Sequence, residues 1–218
     1  TSNIEYSNLG FALLGHILAK KLDISYEQAI ISKICDELDM PDTRITLNSE
    51  QKGRLSNAHS AKGKPSQNWD LPAFAGAGAL RSTVNDLIKF LEANLGKIDS
   101  TLTDALQQCH EKRQGVFSKP SKLLRMFPSL VQKRKEFDLY FQGIGLGWVL
   151  GRIGLEGPLV HWHHGATGGY IAFIGFVKSS DTGTVILANR GPHFSEGTND
   201  VSIVDEIGFK TLELLNPT

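Results

Sequence analysis

A chain of 218 residues, 40% apolar and 21% charged, has an ordinary globular composition and enough length for one large core or two small ones. Its 23 basic and 23 acidic side chains balance, which excludes a global electrostatic pull toward nucleic acid or acidic membranes. No apolar run is long enough to span a bilayer, and Cys35 and Cys109 alone make neither a disulfide framework nor a metal cluster.

Both cysteines fall in helix-like apolar patterns and are expected to be buried free thiols. The chain starts at Thr1 with no Met and no signal-like segment, consistent with a processed or cloned end, so its compartment is not readable there. Leu9, Leu13, Leu14, Ile17 and Leu18 recur at helical spacing, with Asn8 as the expected N-cap. Ser25-Tyr26-Glu27-Gln28 has capping-box spacing and opens a second helix carrying Ile30, Ile31, Ile34 and Leu38, closed by Pro41. From Asp42 to Leu80 the pattern weakens to a long loop with about one helical turn, and a loop of that length in a compact domain is more often functional than idle. Val84, Leu87, Ile88, Leu91 and Leu95 form the face of a third helix that Gly96 stops. A fourth helix is expected over Leu102–Cys109.

Lys112 to Lys135 holds eight basic residues and no acidic one. This run reads either as a polyanion-binding face or as a solvated loop, and Pro120 and Pro128 favour the loop. Leu139-Tyr140-Phe141-Gln142-Gly143 resembles a protease-tag site, but Phe137 stands where such tags carry Glu, so the segment is read as native. After Gly143 the period becomes extended. Gly145 to Leu150 reads as a strand, Gly169 to Val177 as a second one covered on both faces, and Thr184 to Asn189 as a third. Ser179 to Gly183 turns the last two into an antiparallel hairpin, and a helix from about Val201 to Leu215 closes the chain. The fold class expected is α+β: a mostly helical lobe with long loops over residues 1–143, then antiparallel strands and a C-terminal helix over 144–218.

The chemistry-bearing stretch is His161-Trp162-His163-His164-Gly165-Ala166-Thr167-Gly168-Gly169. Three readings compete on spacing. His161 and His163 share a strand face and hold a metal; or they are polar residues at a strand entrance; or the segment lines a nucleophilic hydrolase site whose backbone N–H groups stabilise an oxyanion. A second segment, Tyr6-Ser7-Asn8, sets a phenol and a carboxamide at a helix entrance. An unperturbed phenol, with a pKa near 10, is a poor base unless nearby cations favour its phenolate.

Together these segments resemble the serine β-lactamase and penicillin-binding-protein superfamily, in the branch of class C β-lactamases, D-aminopeptidases, DD-peptidases and family VIII esterases. Tyr6-Ser7-Asn8 followed by Leu9 to Gly15 is similar to the family's Tyr-x-Asn motif and helix. Ala75 to Thr83 with Asp86-Leu87 resembles its Ala-Gly-Gly-Leu-x-Ser-Thr segment, and Gly145 to Trp148 and Leu187 to Arg190 resemble further landmarks. His163 to Gly169 is similar to its Lys-Thr-Gly or His-Thr-Gly motif.

The resemblance implies roles. Tyr6 would be the general base and Asn8 would bond a substrate amide. His163 would tune Tyr6 or meet a substrate carboxylate, and the Ala166 N–H would donate to the oxyanion. His164, Gly165, Thr167 and Gly168 would line the substrate, although His164 replaces the family's Thr and puts carboxylate recognition in doubt. That departure tilts the expected substrates from antibiotics toward esters or D-amino-acid peptides. No metal or organic cofactor is implied, and the family suggests a periplasmic or secreted setting. The family's nucleophile, the Ser of Ser-x-x-Lys, lies upstream of Tyr-x-Asn. Here the one such spacing is Ser49-Glu50-Gln51-Lys52, in a polar stretch after Tyr6, and Ser7 has no adjacent Lys. The chain therefore reads as the C-terminal portion of a serine hydrolase acting through an acyl-enzyme. It would be inactive alone and completed by an N-terminal half or a swapped second copy. The rival is a non-catalytic relative that binds peptidoglycan-like peptides or a protein.

Overall fold

The helix that carries Tyr-x-Asn is capped one residue earlier than expected. In the computed structural model, which describes residues 6–113, 139–192 and 203–217, α1 runs Asn8–Leu22. Ser7 is its N-cap: its backbone is extended, and its Oγ accepts from Gly10 N at 3.0 Å. Asn8 is already helical and so is not the cap, because capping needs a residue outside the helical dihedrals. The small residues Ala12, Gly15 and Ala19 face inward, and the large ones face out.

The Ser25–Gln28 capping box forms with both of its hydrogen bonds. It opens α2 (Tyr26–Ile30), which widens into a π turn over Ile31–Cys35 rather than continuing as one α-helix. The long loop is more ordered than its composition suggests. It contains α3 (Ser49–Arg54), a 3₁₀ turn at Pro72–Phe74 and α4 (Ala75–Gly78). Arg44 and Arg81 exchange backbone bonds across it, and the buried Asp86 carboxylate accepts from Asp42 N and Thr43 Oγ1, each at 2.8 Å. Two further helices follow, α5 (Val84–Asn94), capped by Thr83, and α6 (Thr103–His110). Gly76 lets α4 lie on α1: a Cβ there would stand 2.7 Å from Phe11 O and 3.2 Å from Gly15 Cα. Gly76→Ala should therefore cost about 1–3 kcal/mol, read as a lowered midpoint in urea.

Five antiparallel strands follow in chain order across one sheet: β1 (Leu139–Ile144), β2 (Val149–Ile153), β3 (Leu159–Ala166), β4 (Ile171–Val177) and β5 (Thr182–Ala188). The segment from Leu139 to Gly143 is thus strand. Gly145 to Leu150 is not one strand but a turn followed by β2, because Gly147 takes φ 82 and Gly145 N bonds Trp148 O at 2.9 Å. The basic run lies almost wholly outside the described residues.

Helix α7 (Ile203–Leu215) covers one face of the sheet, where Val204, Phe209 and Leu212 meet Val160, Trp162, Phe173 and Val177. On the other face Phe176 and Trp148 pack with Leu91 of α5 and Cys109 of α6, so β4 is buried on both sides, as its continuous apolar sequence predicts. Cys35 is fully buried with Leu38, Met40 and Ala93, whereas Cys109 is only partly covered, and burial raises both thiol pKa values.

Candidate active site

β3 alternates its side chains between the two faces of the sheet. Val160 and Trp162 point to α7, and His164 joins them, its Nδ1 2.9 Å from Asp205 Oδ2. His161 and His163 point to the helical side. His161 stacks on Phe176 with ring centres 5.0 Å apart and planes 8° apart, and its centre lies 5.1 Å from that of His110. His163 meets Tyr6, whose ring centre is 6.0 Å away and which also packs on Phe11 at 5.5 Å. Helix α1 and strand β3 thereby bring together the two side chains that the sequence placed in separate motifs.

The electrostatics of the pair are those of two neutral groups. Burial raises the pKa of the Tyr6 phenol. The His163 ring keeps some accessible surface but is densely surrounded by protein. That burial, with the neighbouring His164, pushes its pKa down to about 4. At neutral pH His163 therefore offers one N–H donor and one lone pair, not a positive charge. It can orient the phenol or a substrate oxygen, but it cannot by charge favour the phenolate.

Asn8, the first residue of α1, sits at the same entrance, exposed, with no side-chain partner among the described residues; Ser7 has taken the capping role and left its carboxamide available. At the far end of β3, His163 to Ala166 pair with β4, while the pairing of β3 with β2 stops at Trp162. Gly165 and Ala166 are exposed there, and a Cβ added to Gly165 would meet nothing within 4 Å. Such a half-paired strand end can take an extended ligand by main-chain hydrogen bonds.

The other expected residues stand apart from this group. The Thr167 N–H donates to Tyr170 O at 3.0 Å, closing the turn after β3. Gly168 is pressed under the Trp69 indole, whose Nε1 would be 2.4 Å from a Cβ at that position, and its carbonyl accepts from Ser66 Oγ at 3.2 Å. His164 faces away from Tyr6. Ser49 to Lys52 lie on α3, which buries no residue and has no wall to desolvate a lysine. Among the described residues no three His, Cys, Asp or Glu side chains converge as metal ligands.

The family model described as Beta-lactamase matches residues 2–206. The chain belongs to the beta-lactamase family. It is 24% identical over 202 residues to a beta-lactamase of Pseudomonas fluorescens, covering 85% of this chain and 54% of that protein. It is 26% identical over 213 residues to the D-alanyl-D-alanine-carboxypeptidase/endopeptidase AmpH of Escherichia coli K12, covering 92% of this chain and 50% of the relative. A class C beta-lactamase structure superposes with TM-score 0.69 at 23% identity, covering 98% of this chain and 58% of that one. The octameric penicillin-binding protein homologue of Pyrococcus abyssi gives TM-score 0.72 at 22% identity, over 98% of this chain and 43% of that one. The fold is thus the β-lactamase/transpeptidase-like one, and the chain spans about half the length of the curated relatives it matches.

Asp205 and Trp69 carry no signal of their own in the sequence. Each reaches the site through a contact between distant segments, and neither lies in a motif.

Proposed function

We propose that this chain is the Tyr-x-Asn and β3 half of a serine hydrolase that cleaves amide or ester bonds through an acyl-enzyme. The observation that carries the reading is the convergence of Tyr6 and His163 beside the half-paired end of β3. In the proposed cycle, a serine hydroxyl attacks the substrate carbonyl while Tyr6 takes its proton. Tyr6 then returns the proton to the leaving group, and water releases the acyl group by the same route. Asn8 bonds the substrate amide, and the Ala166 N–H donates to the oxyanion. Gly165 and Ala166 offer their backbone to the substrate, and Thr167 shapes the turn that holds them.

The nucleophile and a cation able to favour the Tyr6 phenolate come, on this reading, from the part of the family fold that the chain does not span. The surface of α1 supports this. Its inward face is used by Ala12, Gly15 and Ala19, yet Leu9, Leu13 and Ile17 are 65%, 55% and 52% exposed. A helix apolar on all sides is built to be buried on all sides. The outer edge of β5 is also unpaired among the described residues, an arrangement that favours addition of a further strand. A segment bearing the Ser-x-x-Lys helix and additional strands fits both surfaces.

The whole protein, with that part present, should turn over a short-chain chromogenic ester, a D-alanine amide or a chromogenic cephalosporin. The relative rates then assign the substrate class. A folded protein that binds a peptidoglycan-type peptide but turns over none of the three would replace the hydrolase with a binding protein.

A further inference from the structure

We infer that Asp205 is a positioning residue for acyl transfer, acting through His164 on the end of β3; the inference rests on the hydrolase reading above. Asp205 stands in the first turn of α7 and is 2% exposed. Its Oδ2 accepts from His164 Nδ1–H at 2.9 Å, and its Oδ1 is buried with no hydrogen-bond partner among the described residues. A carboxylate held dry on a single hydrogen bond is expensive, and a fold that needed only packing here would fill the place with an apolar side chain. The favourable end of the α7 dipole offsets part of that cost.

The position of His164 gives the arrangement its use. It lies between His163, which faces Tyr6, and Gly165-Ala166, which carry the exposed backbone. Among the described residues this segment is hydrogen-bonded to a neighbouring strand on one side only, so its lean and twist are set by what anchors its side chains. The Asp205–His164 bond is such an anchor, tying the unsupported strand end to α7. Trp162 packs against His164 with ring centres 5.8 Å apart. Loss of the anchor lets His163 and the Ala166 N–H drift. A misplacement of about 1 Å at a reacting centre costs on the order of 100-fold in rate.

The test is a double-mutant cycle on the whole protein. Rates are normalised to the fraction of sites labelled by a fluorophosphonate, so that unfolded material does not count. Asp205→Asn should lower kcat about 10- to 100-fold with KM nearly unchanged, and Asp205→Glu should recover part of the loss. In a His164→Val background, where the donor to the carboxylate is gone, adding Asp205→Asn should change kcat less than about twofold. A purely structural Asp205 would instead lower the labelled fraction and the melting temperature while leaving normalised kcat intact, or would act additively in both backgrounds. Either result overturns the inference. Absence of labelling and turnover in the unmutated protein would overturn the hydrolase reading instead.

Discussion

Tyr6→Phe in the whole protein should lower kcat by about 100- to 10,000-fold while leaving KM within about threefold, the range a positioned proton carrier contributes. Phenylalanine keeps the ring contacts with Phe11 and His163, so the loss should not come from misfolding. What disappears is the phenol hydroxyl between α1 and β3. Because burial already raises the Tyr6 pKa and His163 is neutral, the phenol is not armed by these two residues together. On the proposed reading a cation from the part of the family fold that the chain does not span does so. His163→Lys should therefore be tolerated far better than Tyr6→Phe, since it adds a charge of the useful sign. A Tyr6→Phe enzyme within threefold of the parent kcat would remove Tyr6 from the proton path.

Stability should fall steeply between pH 6.5 and 4, a window set by three buried histidines: His163 in the cleft and two others away from it. His110 and His161 are buried side by side, and burial pushes each pKa from 6.5 down to about 4, with Lys178 and, for His110, the His161 ring adding repulsion. His110 donates from Nε2 to Asn94 Oδ1 at 2.8 Å, and the Nδ1 atoms of both rings are buried without partners among the described residues. All three rings are held neutral. The unfolded chain takes up their protons as pH drops below 6.5, whereas the folded chain resists until about pH 4. The stability they permit is thus complete above 6.5 and lost on the way down, by about 1.4 kcal/mol per pH unit for each ring. Paired carboxylates such as Asp42 and Glu27, whose pKa values are lowered, lose their contributions only below the ordinary carboxylate range. Urea midpoints at pH 7.5, 5.5 and 4.5 measure the slope. His161→Phe, which preserves the stack on Phe176, should lower it by about a third, and a slope unchanged by that substitution would contradict the assignment.

Most of the architecture was legible because its signals are local. The Ser25 capping box, the spacing of Val84 to Leu95 with its Gly96 stop, and the doubly apolar β4 each depend on a few adjacent residues. The errors share a cause in backbone geometry. Asn8 and Ser7 are equally good capping types, and only the extended dihedrals of Ser7 decide between them. Gly145 to Leu150 alternates like a strand, but Gly147 with φ 82 bends it into a turn, and β1 before it shows no clean alternation. The Tyr6 and His163 motifs were readable one at a time; their meeting was not, since it depends on α1 and β3 packing together. His164 falls among the substrate residues by its place at the Thr of the resembled motif, but one step along a strand from His163 crosses to the other face of the sheet, where His164 meets Asp205. Its partner Asp205, on α7, was invisible for the same reason.

The most direct measurement is the site of covalent labelling. The whole protein is incubated with a fluorophosphonate and the adduct located by peptide mass spectrometry. The expected result is one adduct on the serine of a Ser-x-x-Lys segment outside these 218 residues, lost when that serine is replaced by alanine. An adduct on Ser7 or Ser49, or none on the folded protein, would contradict the proposal that this chain supplies the Tyr-x-Asn and β3 side of a shared active site.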